Sequence, residues 1–223
     1  MDKLQAIITQ LSQGLVYTIG IFAFTVLFSI PLGLLVARGR MAKNKIIAGL
    51  VRIYVSIMRG TPLMLQLLIA YYVPWYMFKI PLRTLVIGPF DYRFIATIIA
   101  FSLNYAAYFG EIFRGGIQSM PNGQYEAAQV LGFTKSQTYF RIILPQVIKR
   151  VLPSVTNEVI TLVKDTSLAQ VLSLTEMFTA AQRLASAQVS VLPFIVAGIF
   201  YYVMNGVIEL IMTSIEKKMD YYK

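Results

Sequence analysis

The chain contains no cysteine and no histidine. The first absence excludes disulfides and thiol chemistry. The second removes the usual proton shuttle and the metal centres built from His and Cys. Charge is also scarce: Asp, Glu, Lys and Arg make up 13% of 223 residues, against ~25% in soluble domains. No Gly-x-x-x-x-Gly-Lys-Ser/Thr run occurs, so the polypeptide has no such loop to cradle nucleotide phosphates. Apolar residues fill the space at 57%, the composition of an integral membrane protein.

Uncharged stretches cover residues 14–37, 61–78 and 94–110. Crossing a hydrocarbon core of roughly 30 Å takes about 20 residues at helical rise. A fourth apolar segment, 151–166, is interrupted by Glu158, Lys164 and Asp165, and residues 184–208 contain a fifth. The expectation is an all-α polytopic membrane protein with five transmembrane helices in one domain, 1–223. Residues 167–187 contain Glu176, Gln182 and Arg183 and are read as an outer-side helix packed on the bundle rather than a sixth crossing. Residues 1–13 carry Asp2 and Lys3 and lack a small-residue cleavage site, so the first span is expected to be retained.

Basic residues set the orientation. Arg38, Arg40, Lys43 and Lys45 follow span one, Lys135, Arg141, Lys149 and Arg150 precede span four, and Lys217, Lys218 and Lys223 close the chain. The positive-inside rule assigns all three groups to the cytoplasm, which leaves the N-terminus outside and the C-terminus inside. Tyr71, Tyr72, Trp75 and Tyr76 then form an aromatic belt at the outer end of span two. A net charge of +10 spread in this way calls for no nucleic acid.

Polar side chains inside the spans are costly and each needs a reason. Glu158, Thr161 and Asp165 recur at three and seven residues, on one helical face, with Asn157, Thr161 and Lys164 on an adjoining strip. In span three Asn104, Tyr108 and Glu111 recur at four and seven, with Arg114 one turn beyond. The two stripes together can line one cavity. Plainer roles stand beside this: Glu111 with Arg114, and Lys164 with Asp165, as interfacial pairs; Glu158 as an ion-pair partner of Arg59; Gln66 and Asn104 as interhelical hydrogen bonders.

Between spans three and four, Pro121-Asn122-Gly123 is turn chemistry, and Glu126-Ala127-Ala128 are good helix formers. A short helix is expected from near Gln124. Gly132 should end it and Leu144-Pro145 should mark a second break. The pattern Glu126-Ala127-Ala128, three residues to Gly132, nine more, then Ile142-x-Leu144-Pro145 resembles the EAA loop of ABC importer permeases.

Further phrases extend the resemblance over most of the chain. Arg59-Gly60-Thr61-Pro62-Leu63, Tyr108-Phe109-Gly110-Glu111-Ile112-Phe113-Arg114-Gly115-Gly116-Ile117 and Lys164-Asp165-Thr166-Ser167-Leu168 are similar to those of permeases for polar amino acids such as histidine, arginine, lysine, glutamine and glutamate.

The resemblance implies a type I ABC importer transmembrane core in a bacterial inner membrane. It implies a cytoplasmic coupling segment at about 119–145, with Glu126, Ala127, Ala128, Gly132, Leu144 and Pro145 conveying the motion of a separate ATP-binding subunit. Its implied partners are that subunit, which holds ATP and Mg, a second permease copy or homologue forming a dimer, and an extracytoplasmic amino-acid-binding protein. No cofactor is expected on this chain and no enzymatic activity of its own. Candidate substrate-binding residues are Glu158, Asn104, Thr161, Asp165, Tyr108 and Arg59, and the carboxylate of Glu158 favours a basic amino acid. The alternatives are a glutamine or glutamate permease, an ion-coupled secondary transporter, and a membrane scaffold that docks a soluble partner.

Overall fold

The computed structural model describes residues 2–81, 86 and 90–219; Lys223 of the last basic group lies outside them. All the regular elements among these residues are helical. Helix α1 (Asp2–Arg40) is followed by α2 (Lys45–Gly60) and α3 (Leu63–Phe78), then α4 (Tyr92–Gln118) and α5 (Asn122–Val130). A single turn α6 (Lys135–Gln137) leads through a π-helical stretch, Thr138–Ile143, into α7 (Leu144–Asp165). A 3-10 stretch Thr166–Leu172, α8 (Met177–Gln188) and α9 (Leu192–Lys218) complete the chain.

Helix α4 is the centre of the packing. Its most extensive contact is with α1, and α3 and α7 also lie against it. Phe94, Phe101, Tyr105 and Phe109 from α4 join Ile21, Leu67, Val159 and Leu162 in the main core. Small residues permit the close crossing of α1 and α4, where Gly33 and Gly110 face each other. Gly14 meets the backbone of Glu176 and Met177, which docks α8 against α1.

Among the described residues three helices, α1, α4 and α9, are long and apolar enough to cross a membrane. The pair α2 and α3 meets the same requirement jointly but bends by 111° at its break. Thr61 and Pro62 explain the bend. Both residues are extended, and a proline disfavours helix in the residue before it.

The expected stretch at 61–78 is therefore only the second half of a broken element whose first half is amphipathic. Helix α7 has 22 residues, long enough to cross, but Lys149, Arg150, Glu158, Lys164 and Asp165 make it less apolar than α1, α4 and α9. The fifth apolar span begins inside the expected range, as α9, and extends beyond it. Residues 184–188 belong to α8, Val189 turns left-handed with φ 48°, and α9 starts afresh at Leu192 with a proline in its first turn.

The segment after α4 follows the expected helix and turn, with two adjustments. Helix α5 begins at Asn122 rather than near Gln124, because Pro121 supplies an extended residue ahead of the first turn. Gly132 has φ +77°, the left-handed conformation in which glycine ends a helix at no steric cost. Thr134 and Gln137 then form a reciprocal capping box. Leu144-Pro145 makes no break. The chain winds continuously from Lys135 to Asp165 and changes from π to α at Leu144, which absorbs the proline's missing donor in the wider turn.

Candidate functional site

The polar stripes of α4 and α7 converge on one cluster near the middle of α4. Tyr105, 2% exposed, donates its hydroxyl to Asp165 Oδ2 at 2.7 Å. Glu158 lies within Coulombic reach of both Asp165 and Arg59. The Arg59 guanidinium rests over the Tyr108 ring, 5.2 Å from its centroid, a cation–π contact. Two carboxylates, one guanidinium and two phenols thus come together from α2, α4 and α7. Such a set offers a carboxylate to an ammonium group and a guanidinium to a carboxylate, the two ends of an amino acid.

Neighbouring residues hold this cluster's geometry. Asn104 donates its amide to Met58 O at 2.9 Å and to Gln66 Oε1 at 3.0 Å. Gln66 donates to Met58 O at 3.0 Å and to Thr61 Oγ1 at 2.9 Å. Both amides thereby bridge the α2–α3 break, where helical hydrogen bonds are missing, and Arg59 is held one residue before Gly60. Tyr54 adds a hydroxyl hydrogen bond from α2 to Leu103 O.

Removing Asn104 should loosen the bend. Asn104→Ala is expected to cost about 2 kcal/mol, two hydrogen bonds at ~1 kcal/mol each. A double-mutant cycle with Gln66→Ala, followed by thermal unfolding in detergent, should give a coupling energy above about 0.5 kcal/mol. Strict additivity would show that the two amides act separately.

Other expected candidates fall elsewhere. Thr161 donates to Asn157 O in its own helix at 2.9 Å and is exposed with Asn157 and Lys164. Their strip forms an open face of α7, next to the cluster but outside it. Glu111 accepts from Arg40 Nε at 2.8 Å and from Arg114 at 2.7 Å. It clamps the end of α1 to α4.

Sequence reasoning missed two residues. Tyr105 carries no periodic polar signal of its own. Glu176, treated above only as an interruption, is fully buried and caps α8. Its carboxylate accepts from the Phe178 and Thr179 amides at 2.7 and 2.6 Å, and from the hydroxyls of Thr179 and Tyr201 at 2.8 and 3.2 Å. Four donors offset the cost of burying this carboxylate. The one signal available was its place as an acidic residue just before the helical run of α8.

A second surface lies at the opposite end of α4 from Asp91. In α5, Glu126 and Ala127 are exposed, whereas Ala128 is buried. Gln146 donates to Gln124 Oε1 at 3.3 Å, and Arg150 donates to Ser119 O at 2.6 Å. These contacts fasten the segment to α7 above a small core of Met120, Ile143, Val147 and Val151. At its tip, Val130 and Leu131 are 88% and 73% exposed, an apolar knob without cover from its own chain. Among the described residues no group of three or more acidic side chains gathers as a metal site.

A family model described as the inner membrane component of binding-protein-dependent transport systems matches residues 29–221. The chain belongs to this family. It is 36% identical over 214 residues to the L-cystine transport system permease protein TcyB of Bacillus subtilis (strain 168), covering 95% of this chain and 87% of that one. It is 33% identical over 208 residues to the arginine transport system permease protein ArtQ of the same organism, covering 93% and 91%.

A chain in the crystal structure of an amino acid ABC transporter with histidines shares 28% identity and a TM-score of 0.84, with 97% of each chain covered. The fold is therefore that of a type I ABC importer permease, and the protein is a multi-pass membrane component of a transport system. Membership of this family removes the grounds for an ion-coupled secondary transporter.

Proposed function

We propose that this chain is the permease subunit of an ATP-driven importer that moves a polar amino acid into the cytoplasm by alternating access. The observation that carries this reading is the cluster of Arg59, Tyr105, Tyr108, Glu158 and Asp165 at mid-depth of a family permease. Substrate enters between the α4 and α7 stripes, with Glu158 and Asp165 as cation-binding groups and Arg59 as the anion-binding group. Asn104 acts by holding the bend, and Thr161 from the adjoining open face.

Five membrane crossings complete the proposal: α1, the broken α2–α3 pair, α4, α7 and α9, in one domain spanning 1–223. The N-terminus is outside and the C-terminus is in the cytoplasm of a bacterial inner membrane, with α8 on the outer side. Two such permeases pair, an extracytoplasmic binding protein delivers the amino acid, and an ATPase subunit holding ATP and Mg docks on residues 119–145. Glu126, Ala127, Ala128, Gly132, Leu144 and Pro145 belong to this coupling segment. The exposure of α5 and the left-handed turn at Gly132 support that role.

Two acidic groups against one guanidinium favour a basic cargo over glutamine. In vesicles holding the permease with its ATPase, Glu158→Gln is expected to lower arginine, lysine and histidine uptake by at least about tenfold. Loss of a charge-assisted hydrogen bond is worth ~1.5–3 kcal/mol. Glutamine uptake and basal ATP hydrolysis should change little. An equal fall for every amino acid would instead assign Glu158 to the α-ammonium or to the structure, and the basic-cargo reading would fail.

A further inference from the structure

An apolar groove runs between α1 and α4 on the side away from the polar cluster. Phe24, Phe28 and Leu32 of α1 and Ile95, Ile99 and Leu103 of α4 line it, and its volume is about 750 Å³, within the ~300–1,000 Å³ of ligand cavities. At 3.6 residues per turn, Ile95 and Ile99 fall on the face of α4 opposite Asn104 and Tyr108. The groove is open along its length, with Phe28 47% and Ile99 46% exposed. Among the described residues Ser102 is the one polar member of its lining, and that hydroxyl is buried, so the groove suits an apolar occupant rather than an amino-acid cargo.

One end of this groove is polar. Phe90 and Phe94, stacked with ring centroids 4.6 Å apart, line the groove and also wall a smaller cavity of about 200 Å³ beside Tyr17, Asp91, Arg93, Ser173 and Thr175. Asp91 accepts from Phe94 N through Oδ1 at 3.1 Å and keeps its second oxygen for another partner. Arg93, two residues along, is exposed, and no ion pair engages it among the described residues. A negative and a positive side chain therefore stand together at the mouth of an apolar channel. This end of α4 is remote from the coupling segment, roughly 40 Å away over 27 residues.

We propose that the two adjoining cavities form a binding site for a zwitterionic aminophospholipid. One acyl chain lies in the α1–α4 groove, the phosphate meets Arg93, and the primary ammonium meets Asp91. The division into a long apolar part and a small charged part matches an amphiphile. The charge pair selects the headgroup. A glycerol headgroup brings no cation for Asp91 and leaves its carboxylate facing a net anion, while a choline headgroup has no N–H to donate. This site does not depend on which amino acid is transported.

The test uses the full-length chain in nanodiscs containing equal parts of phosphatidylethanolamine, phosphatidylcholine and phosphatidylglycerol, with retained lipids counted by native mass spectrometry after release. Phosphatidylethanolamine is expected to be enriched roughly three- to fivefold, the ratio that one or two solvent-screened charge contacts supply. Arg93→Gln and Asp91→Asn should each reduce that preference. Asn caps a helix as well as Asp does, so the second variant removes charge while preserving the start of α4.

A fluorescence readout tests the groove itself. Phe28→Trp, in a Trp75→Phe background that removes the single native tryptophan, should be quenched by phosphatidylethanolamine with brominated acyl chains, and less so in the Arg93→Gln variant. Equal retention of the three lipids in the wild-type chain would overturn the headgroup assignment. Unquenched fluorescence, or a disulfide between two Phe28→Cys chains, would overturn the groove assignment and point to a second copy as its cover.

Discussion

Gly110→Val should prevent the permease from accumulating in a folded form. A Cβ at Gly110 would lie 2.8 Å from Val36 Cβ and 3.3 Å from the Gly33 carbonyl oxygen, and one at Gly33 would lie 2.8 Å from Phe109 Cβ. Turning the Val36 side chain moves its methyl groups but not its Cβ, so no rotamer change relieves the overlap. Overpacking commonly costs ~1–3 kcal/mol where side chains can shift. Here α1 itself must move, and the cost should exceed about 3 kcal/mol of a total that is typically ~5–15.

Gly115→Val is the control. Nothing lies within 4 Å of a Cβ at Gly115, so this change on the same helix should cost under about 1 kcal/mol, valine being no poorer a helix former than glycine. Membrane yield and the midpoint of thermal unfolding in detergent separate the two variants. Equal behaviour would mean that the α1–α4 crossing is looser than its glycines indicate.

The second large effect concerns the proposed coupling segment. Val130→Asp with Leu131→Asp is expected to uncouple the permease from its ATPase while leaving the permease folded. Both side chains stand clear of their own chain, so substitution creates no cavity and buries no charge within the permease. In the proposed complex the same pair fills an apolar pocket on the ATPase. A buried anchor of this kind is worth ~2 kcal/mol or more, at least roughly thirtyfold in affinity. Co-purification with the ATPase should fail and uptake should fall to background, while unfolding in detergent stays near wild type. Undiminished assembly would refute the docking role of this tip.

The short helix before Gly132 and the turn there were legible because local chemistry decides them: Gly132 is the residue that adopts a positive φ without strain. The capping box of Thr134 and Gln137 is equally local but went unread. Glu111 with Arg114 was legible for the same reason, since residues three apart share a helical face. Arg40, the third member of that clamp, lies 71 residues from Glu111 and announces nothing in its own neighbourhood.

By itself, the sequence determined the class, the helical content, the polar stripes and the short helix and turn that end at Gly132. These follow from composition, from 3.6-residue periodicity and from turn chemistry, all of which act over a few residues. The tertiary structure alone decided which stripe residues meet. It brought Tyr105 to Asp165, spent the Asn104 amide on a broken helix 46 residues away, and buried Glu176 among four donors. It also decided the form of the winding before Leu144, where the π-helical stretch lies against α5 and buries Thr138 and Ile143. Side-chain partnership depends on how helices cross. That depends in turn on contacts such as Gly33 against Gly110, between residues far apart in the chain.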